Sequence, residues 1–343
     1  MSSAQLKQEE LALWPQDRRP AVYGVCATML VLSNTAVPGR LWAQYKIHRK
    51  IFIEDYFLVA ALLFTNIVNI TTIIAGTKGL GLHTWRVVAD DPSYNNLVGV
   101  FASIWVTALF TGPSLFSTKI ALLTYYRRLF IVNQTWIRIF WWINLVFATM
   151  WGIGSTLFYI FQCSPVEYYW ARGNPNSGAT GHCADSGSLA AVATPQILSM
   201  VSDFFILLLP ILTILGLKMD MKRRLGLMAV FSVGFVSFGC SAARIGVALG
   251  GTEMVGDDTW SLTIFEIISA TELTSGILCA SAVPIFSYLR LTIRGASTQN
   301  SQSSFGFKEM PSPVRRRDQH DPLASTSEEH LRDEYTTNDK LNV

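Results

Sequence analysis

Seven apolar blocks dominate this chain and leave it few folds to adopt. They lie at 21–43, 55–76, 97–126, 139–161, 192–216, 225–249 and 261–289. Each runs to roughly 20 to 30 residues, enough to cross a hydrocarbon layer about 30 Å thick. In hydrocarbon every backbone N–H and C=O must find its partner within the protein, so blocks of this kind become helices. Half of the 343 residues are hydrophobic and 15% are charged, against about a quarter charged in a soluble domain. The expected fold is all-α: a polytopic membrane protein with a bundle of seven transmembrane helices. A net charge of +3 is too small to argue for nucleic acid, so the bilayer is the first expected partner.

Residues 1–20 read as an N-terminal tail, because they carry no apolar core of the signal-peptide kind. Residues 21–290 form the expected transmembrane domain. Residues 291–343 are rich in Ser, Pro and charge and read as a disordered tail. Lys and Arg in short loops prefer the cytoplasmic side. The loops after the first, third and fifth blocks hold ten of them: Lys46, Arg49, Lys50, Arg127, Arg128, Arg138, Lys218, Lys222, Arg223 and Arg224. The alternate loops hold three, Lys78, Arg86 and Arg172. The N-terminus is therefore expected outside or in a lumen and the C-terminal tail in the cytoplasm, in the plasma membrane or an endomembrane. A cytoplasmic partner would meet the basic loops and the tail.

The cysteines fit this orientation. Cys26, Cys240 and Cys279 fall inside blocks, while Cys163 and Cys183 share the loop 162–190 on the expected outer side. An oxidising compartment favours a disulfide between those two.

Ionisable side chains inside spans are costly and face the bundle interior. Here they are Lys119, Asp203, Arg244, Glu266 and Glu272. At 1.5 Å per residue, Arg244 and Glu266 each lie about 8 Å below the outer end of their block, which makes them natural partners. Asp203 and Glu272 each lie about 16 Å deep, with no obvious basic neighbour at that depth. Two carboxylates at one depth in a low dielectric cannot both stay ionised, and a protonated one is a plausible general acid. These two are the candidate catalytic residues. Lys119 lies toward the inner end of the third block, where its stem could snorkel or pair with Glu54 or Asp55.

Ser103, Thr107, Thr111, Ser114 and Thr118 add a hydroxyl stripe along the third block, which Gly112-Pro113 would kink. Asp203, Arg244, Glu266, Glu272, Thr107, Thr111 and Ser114 are thus the candidate ligand-binding residues of a polar cavity for a small hydrophobic molecule. The competing reading is that the same residues only assemble helices. None of the five histidines lies inside a block, which disfavours an intramembrane haem. No metal and no cofactor is expected.

Several short patterns follow one another in a particular order: Glu54-Asp55-Tyr56, Gly79-x-Gly81-x-His83, Lys119 through Phe130 with Tyr126 and Arg128, Cys163-x-Pro165 with Trp170 and then Cys183, Asp203 before Leu209-Pro210 and Lys218, and Asp258-Thr259-Trp260 before Glu272. Together they resemble the fungal rhodopsin-like integral membrane proteins over about residues 22–290. That family includes adhesion-type seven-span receptors and an integral membrane protein of the satratoxin cluster. Ala121 stands where the family usually has Ser. Despite the family's name, a retinal pigment needs a lysine in the seventh span for its Schiff base, and 261–289 contains none.

The resemblance implies a role in secondary-metabolite biosynthesis, as a membrane-bound tailoring or metabolite-binding component. The alternative is a seven-span receptor for an extracellular small molecule or surface cue, and a transporter is third. No cysteine-rich extracellular domain precedes the first block, which favours the metabolic role.

Overall fold

The computed structural model describes residues 15–130, 135–184, 189–215, 234–247 and 257–303. The basic segment 218–224 and the tail beyond 303 lie outside the described residues. The chain divides into two units, Met1–Arg294 and Gly295–Val343. The elements are α1 (Arg19–His48), α2 (Ile53–Lys78), α3 (Thr84–Asp90), α4 (Asn95–Phe130), α5 (Thr135–Ile160), β1 (Cys163–Ser164), α6 (Tyr168–Ala171), β2 (His182–Cys183), α7 (Leu189–Leu215), α8 (Gly234–Val247) and α9 (Asp258–Ser303). Five of these, α1, α2, α4, α5 and α9, are long and apolar enough to cross a membrane. Two shorter apolar helices, Ala193–Leu209 within α7 and Gly234–Val247, accompany them.

Helix α5 shows why such a bundle belongs in lipid. Ile139, Ile143, Val146, Met150, Ile153 and Leu157 recur every three or four residues and are all exposed. Ile137, Trp141, Asn144, Ala148, Trp151 and Ser155 follow the same period one step round and are all buried. The polar members face inward and the stripe facing outward is purely aliphatic. A soluble protein buries such a patch, whereas hydrocarbon accepts it.

Helix α4 is central. It packs against α2 along most of its length, and also against α5, α6 and α7. Helix α9 closes the bundle through Ile277 and Ala280 against Val37, Leu58, Ala61 and Ala121, and through Leu273 against Val68, Leu115 and Trp151. Most hydroxyls donate to a carbonyl three or four residues back in their own helix, as Thr72, Thr111, Thr118 and Thr263 do. That satisfies a polar atom in hydrocarbon without a partner helix.

One end of the bundle carries a small cap. Strands β1 and β2 pair antiparallel with Cys163 opposite Cys183, and a disulfide joins the two. Leu80, Leu82, Val87, Val100, Phe101 and Tyr169 pack around it. Gly79 and Gly81 take φ of 121° and 102°, a region closed to side chains with a Cβ. Gly81 must also be bare because a Cβ would come within 2.8 Å of the Arg19 backbone nitrogen. Its carbonyl accepts from the Arg18 N–H at 2.9 Å. The next residue but one, His83, binds Asp257 through Nδ1 and stacks on Trp260 at 4.2 Å. Thr84 N–H donates to the same aspartate at 2.8 Å. This latch joins the α2–α3 loop to the start of α9. The acid it uses is Asp257, one residue before the Asp258-Thr259-Trp260 pattern.

A buried intramembrane charge cluster

Five helices bring ionisable side chains to one place. On α7, Gln196, Ser199 and Asp203 follow at intervals of three and four, so they share a face. Ser241 and Arg244 do so on α8, and Glu266, Ser269 and Glu272 on α9. Lys119 comes from α4 and Tyr159 from α5.

The geometry forms a chain of contacts. Lys119 Nζ lies 3.0 Å from Asp203 Oδ1 and donates to Ser199 O at 2.9 Å and Ser199 Oγ at 3.0 Å. The ammonium also sits 4.5 Å from the centre of the Trp151 ring. Ser241 Oγ is 3.0 Å from Asp203 Oδ2 and 2.5 Å from Glu272 Oε1. Arg244 Nη1 lies 2.7 Å from Glu272 Oε2. Its Nη2 donates to Gln196 Oε1, and Gln196 Nε2 donates to the Tyr159 hydroxyl oxygen at 2.9 Å. Glu266 stands beside this chain, close to Thr107 of α4.

Ser241 bridges the two carboxyl groups, and a hydroxyl has one proton to give. It can donate to Asp203 or to Glu272, not to both at once, and the Ser237 carbonyl at 3.2 Å is a third acceptor in reach. Lys119 and Arg244 balance Asp203 and Glu272, and Glu266 is a third acid with no cation of its own among the described residues.

The structure corrects three sequence expectations. Lys119 does not snorkel, and it does not pair with Glu54 or Asp55. Helix α4 runs on to Phe130, so the Lys119 backbone lies about 16 Å from the helix end, with Asp203 in reach instead. Glu54 pairs with Arg128 at 2.9 Å and Asp55 with Arg40 at 3.0 Å. Asp203 and Glu272 do have basic neighbours, Lys119 and Arg244. Arg244 forms its ion pair with Glu272 and not with Glu266, because block ends read from hydropathy misplace the register by more than a helical turn. Of the hydroxyl stripe, Thr107 reaches the cluster through Glu266. Ser114 turns away and pairs with Thr65 of α2 at 2.7 Å, and Thr111 bonds its own helix.

Arg40 is a further buried charge, beyond those expected from the sequence. It is fully buried on α1, and its position inside the block 21–43 was the available signal. A cavity of about 510 Å³ lies between α5 and α7, lined by Met150, Trp151, Gly154, Phe158, Pro195 and Leu198 among others. It is apolar, and Trp151 belongs both to its wall and to the surroundings of Lys119.

Fold and cluster together define a multi-pass helical membrane protein with its polar chemistry inside the bilayer. The chain belongs to the fungal rhodopsin family, whose domain matches residues 39–291. It is similar to a SAT4 family membrane protein of Emericella nidulans, with 30% identity over 63% of this chain and 52% of that protein. Wortmanamides biosynthesis cluster protein C of Talaromyces wortmannii is 22% identical over 78% of this chain and 70% of its own length. Satratoxin biosynthesis SC1 cluster protein 4 of Stachybotrys chartarum is 27% identical over 55% of this chain and 65% of its own length. The chain thus spans about half of the Emericella relative.

Proposed function

We propose that this protein serves a secondary-metabolite biosynthesis pathway by taking up a small hydrophobic metabolite within the membrane, at the cluster centred on Asp203, Ser241 and Glu272. The observation that carries the reading is the bridge made by Ser241. One hydroxyl set between two carboxyl groups is an arrangement for passing a proton between them, which is the equipment of a general acid. Arg244 Nε, buried and without an acceptor among the described residues, offers a donor for an oxygen on the bound molecule. Relatives named for biosynthesis clusters of different products support the pathway assignment.

The same reading extends to topology. The five long helices, α7 and α8 make seven spans, with residues 1–20 outside, 21–290 as the membrane domain and 291–343 as a cytoplasmic tail. Reporter fusions at Lys218–Arg224 and after Gly295 should read cytoplasmic, and a lumenal signal from either defeats this topology.

The functional test is genetic. Deleting the gene should change the metabolite profile, and Asp203→Asn or Glu272→Gln alleles should reproduce that change at normal membrane levels. If those alleles restore the wild-type profile at normal levels, the cluster is not the site. If the deletion leaves metabolites unchanged but abolishes the response to an extracellular cue, the protein is a receptor.

A further inference from the structure

We propose that the cavity between α5 and α7 is a binding site, opening to the lipid, for an uncharged lipophilic molecule dissolved in the bilayer. Its position decides who can reach it. Two of its lining residues, Met150 and Leu198, are 68% and 40% exposed on the outer surface of the bundle. In a membrane that surface meets acyl chains, so the mouth admits what the bilayer already holds. Its volume, about 510 Å³, falls within the range of about 300–1,000 Å³ typical of small-molecule sites. A helix about 10 Å across would fit for little more than one turn, so a partner helix is a poor occupant.

Two glycines of α5 differ in what their bareness serves. Gly152 faces α4, and a Cβ there would come within 2.7 Å of the Phe116 ring. Close packing explains it. Gly154 lines the cavity, and a Cβ there would meet nothing within 4 Å. No contact inside the fold requires glycine at this position, and glycine is a poor helix former. What its bareness supplies is room.

The inner wall is Trp151. Its Nε1–H donates to the Pro195 carbonyl at 2.9 Å, which fixes the ring between the helices. The same ring lies 4.5 Å from the Lys119 ammonium. A molecule in the cavity is therefore one aromatic residue away from the Lys119–Asp203 pair. This placement makes the cavity the bilayer-side holding site for the metabolite, and it rests on the functional reading above.

The test uses the full chain in phosphatidylcholine nanodiscs with a photoactivatable probe, hexadecanol bearing a diazirine and an alkyne. Adducts should concentrate on residues 147–158 and 194–198. Gly154→Phe and Leu198→Trp both fill the cavity, by different helices, and each should cut those adducts by about tenfold. Leu157→Trp, on the same exposed stripe but outside the lining, should leave them unchanged. Size-exclusion profiles report folding, and Leu198→Trp keeps the test alive if Gly154→Phe fails to fold. Adducts spread evenly over the lipid-facing stripe, or unaffected by both fillings, overturn the site. So does a wild-type dimer that Gly154→Phe dissociates, since a second copy would then be the occupant. If filling blocks labelling while gene deletion leaves metabolites unchanged, the functional reading fails and the site stands. If Asp203→Asn alters metabolites but the cavity takes no probe, the site fails alone.

Discussion

Arg40 supplies the hydrogen bond that Pro284 takes away. Proline has no N–H, so the carbonyl four residues back, Ala280 O, loses its helical donor. The Arg40 Nη1 donates to that oxygen. The same guanidinium holds Asp55 Oδ1 at 3.0 Å through Nε, and Asp55 Oδ2 accepts from the Phe52 N–H at the start of α2 at 3.0 Å. One fully buried side chain thus fastens α1 to the start of α2 and to the turn of α9 that precedes Pro284. Arg40→Ala should cost about 3–5 kcal/mol, because it strands Asp55. In a Pro284→Ala background Ala280 O regains its helical donor, and the same change should cost about 1 kcal/mol less. Thermal unfolding of the four proteins measures the coupling. A coupling of zero would show that the bond to Ala280 contributes nothing.

Two positive-φ glycines, Gly81 and Gly178, should respond differently to a methyl group. Gly178 has φ 66°, and a Cβ added there would meet open space, with nothing within 4 Å. Gly178→Ala should cost about 1 kcal/mol, the strain of left-handed backbone alone. At Gly81 the Cβ also meets the Arg19 backbone nitrogen at 2.8 Å, and the start of α1 cannot yield without losing its bond to the Gly81 carbonyl. Gly81→Ala should therefore be clearly the harsher change in a thermal-shift assay. Equal losses would mean that the approach to α1 is loose.

Five long apolar helices are legible in the sequence because the bilayer imposes one rule on them, a long apolar run with its backbone bonds closed. The cysteine pair is legible too, since Cys163 and Cys183 are the two cysteines that fall together in one loop outside the apolar blocks. Partner choice inside the bundle is less so. Glu266 and Glu272 differ by under two turns, about 9 Å along the axis, which is close to the uncertainty in where a block ends. Arg244 is thus assigned to the wrong acid by counting, although both acids point into the same space. Lys119 misleads differently. Its fate depends on how far α4 continues past Tyr126, and hydropathy stops at the first arginine while the helix does not. Ser241 carries no signal at all, since one serine on an apolar helix looks like any packing residue.

The Cys163–Cys183 disulfide closes a loop with a sequence separation of 20. Peptide mapping without reductant should recover these two cysteines joined and Cys26, Cys240 and Cys279 as free thiols. By the chain-entropy argument the double Cys→Ser protein should lose about 3 kcal/mol, and the loss should appear first as faster proteolysis of the segment 162–184. Recovery of both cysteines as alkylated thiols from native membranes would remove the bridge from the mature protein.

The Lys119–Asp203 pair gives the sharpest separation of assembly from function. Lys119→Met leaves the Asp203 carboxylate buried without its cation and should cost about 3–5 kcal/mol. Asp203→Asn keeps the shape: the amide oxygen can still accept from Lys119 while the amide NH2 donates to Ser241 Oγ, so it should cost less. The double change Lys119→Met with Asp203→Asn removes both charges together and should recover most of the stability lost in Lys119→Met. If the pair only holds α4 to α7, the double variant should also recover the metabolite phenotype. If the cluster acts through a proton shared across Ser241, the double variant should be folded, abundant and inactive, because an amide cannot carry that proton. Membrane abundance and metabolite profile, measured on the same strains, distinguish the two. A folded double variant with wild-type metabolites would reduce the cluster to a structural device.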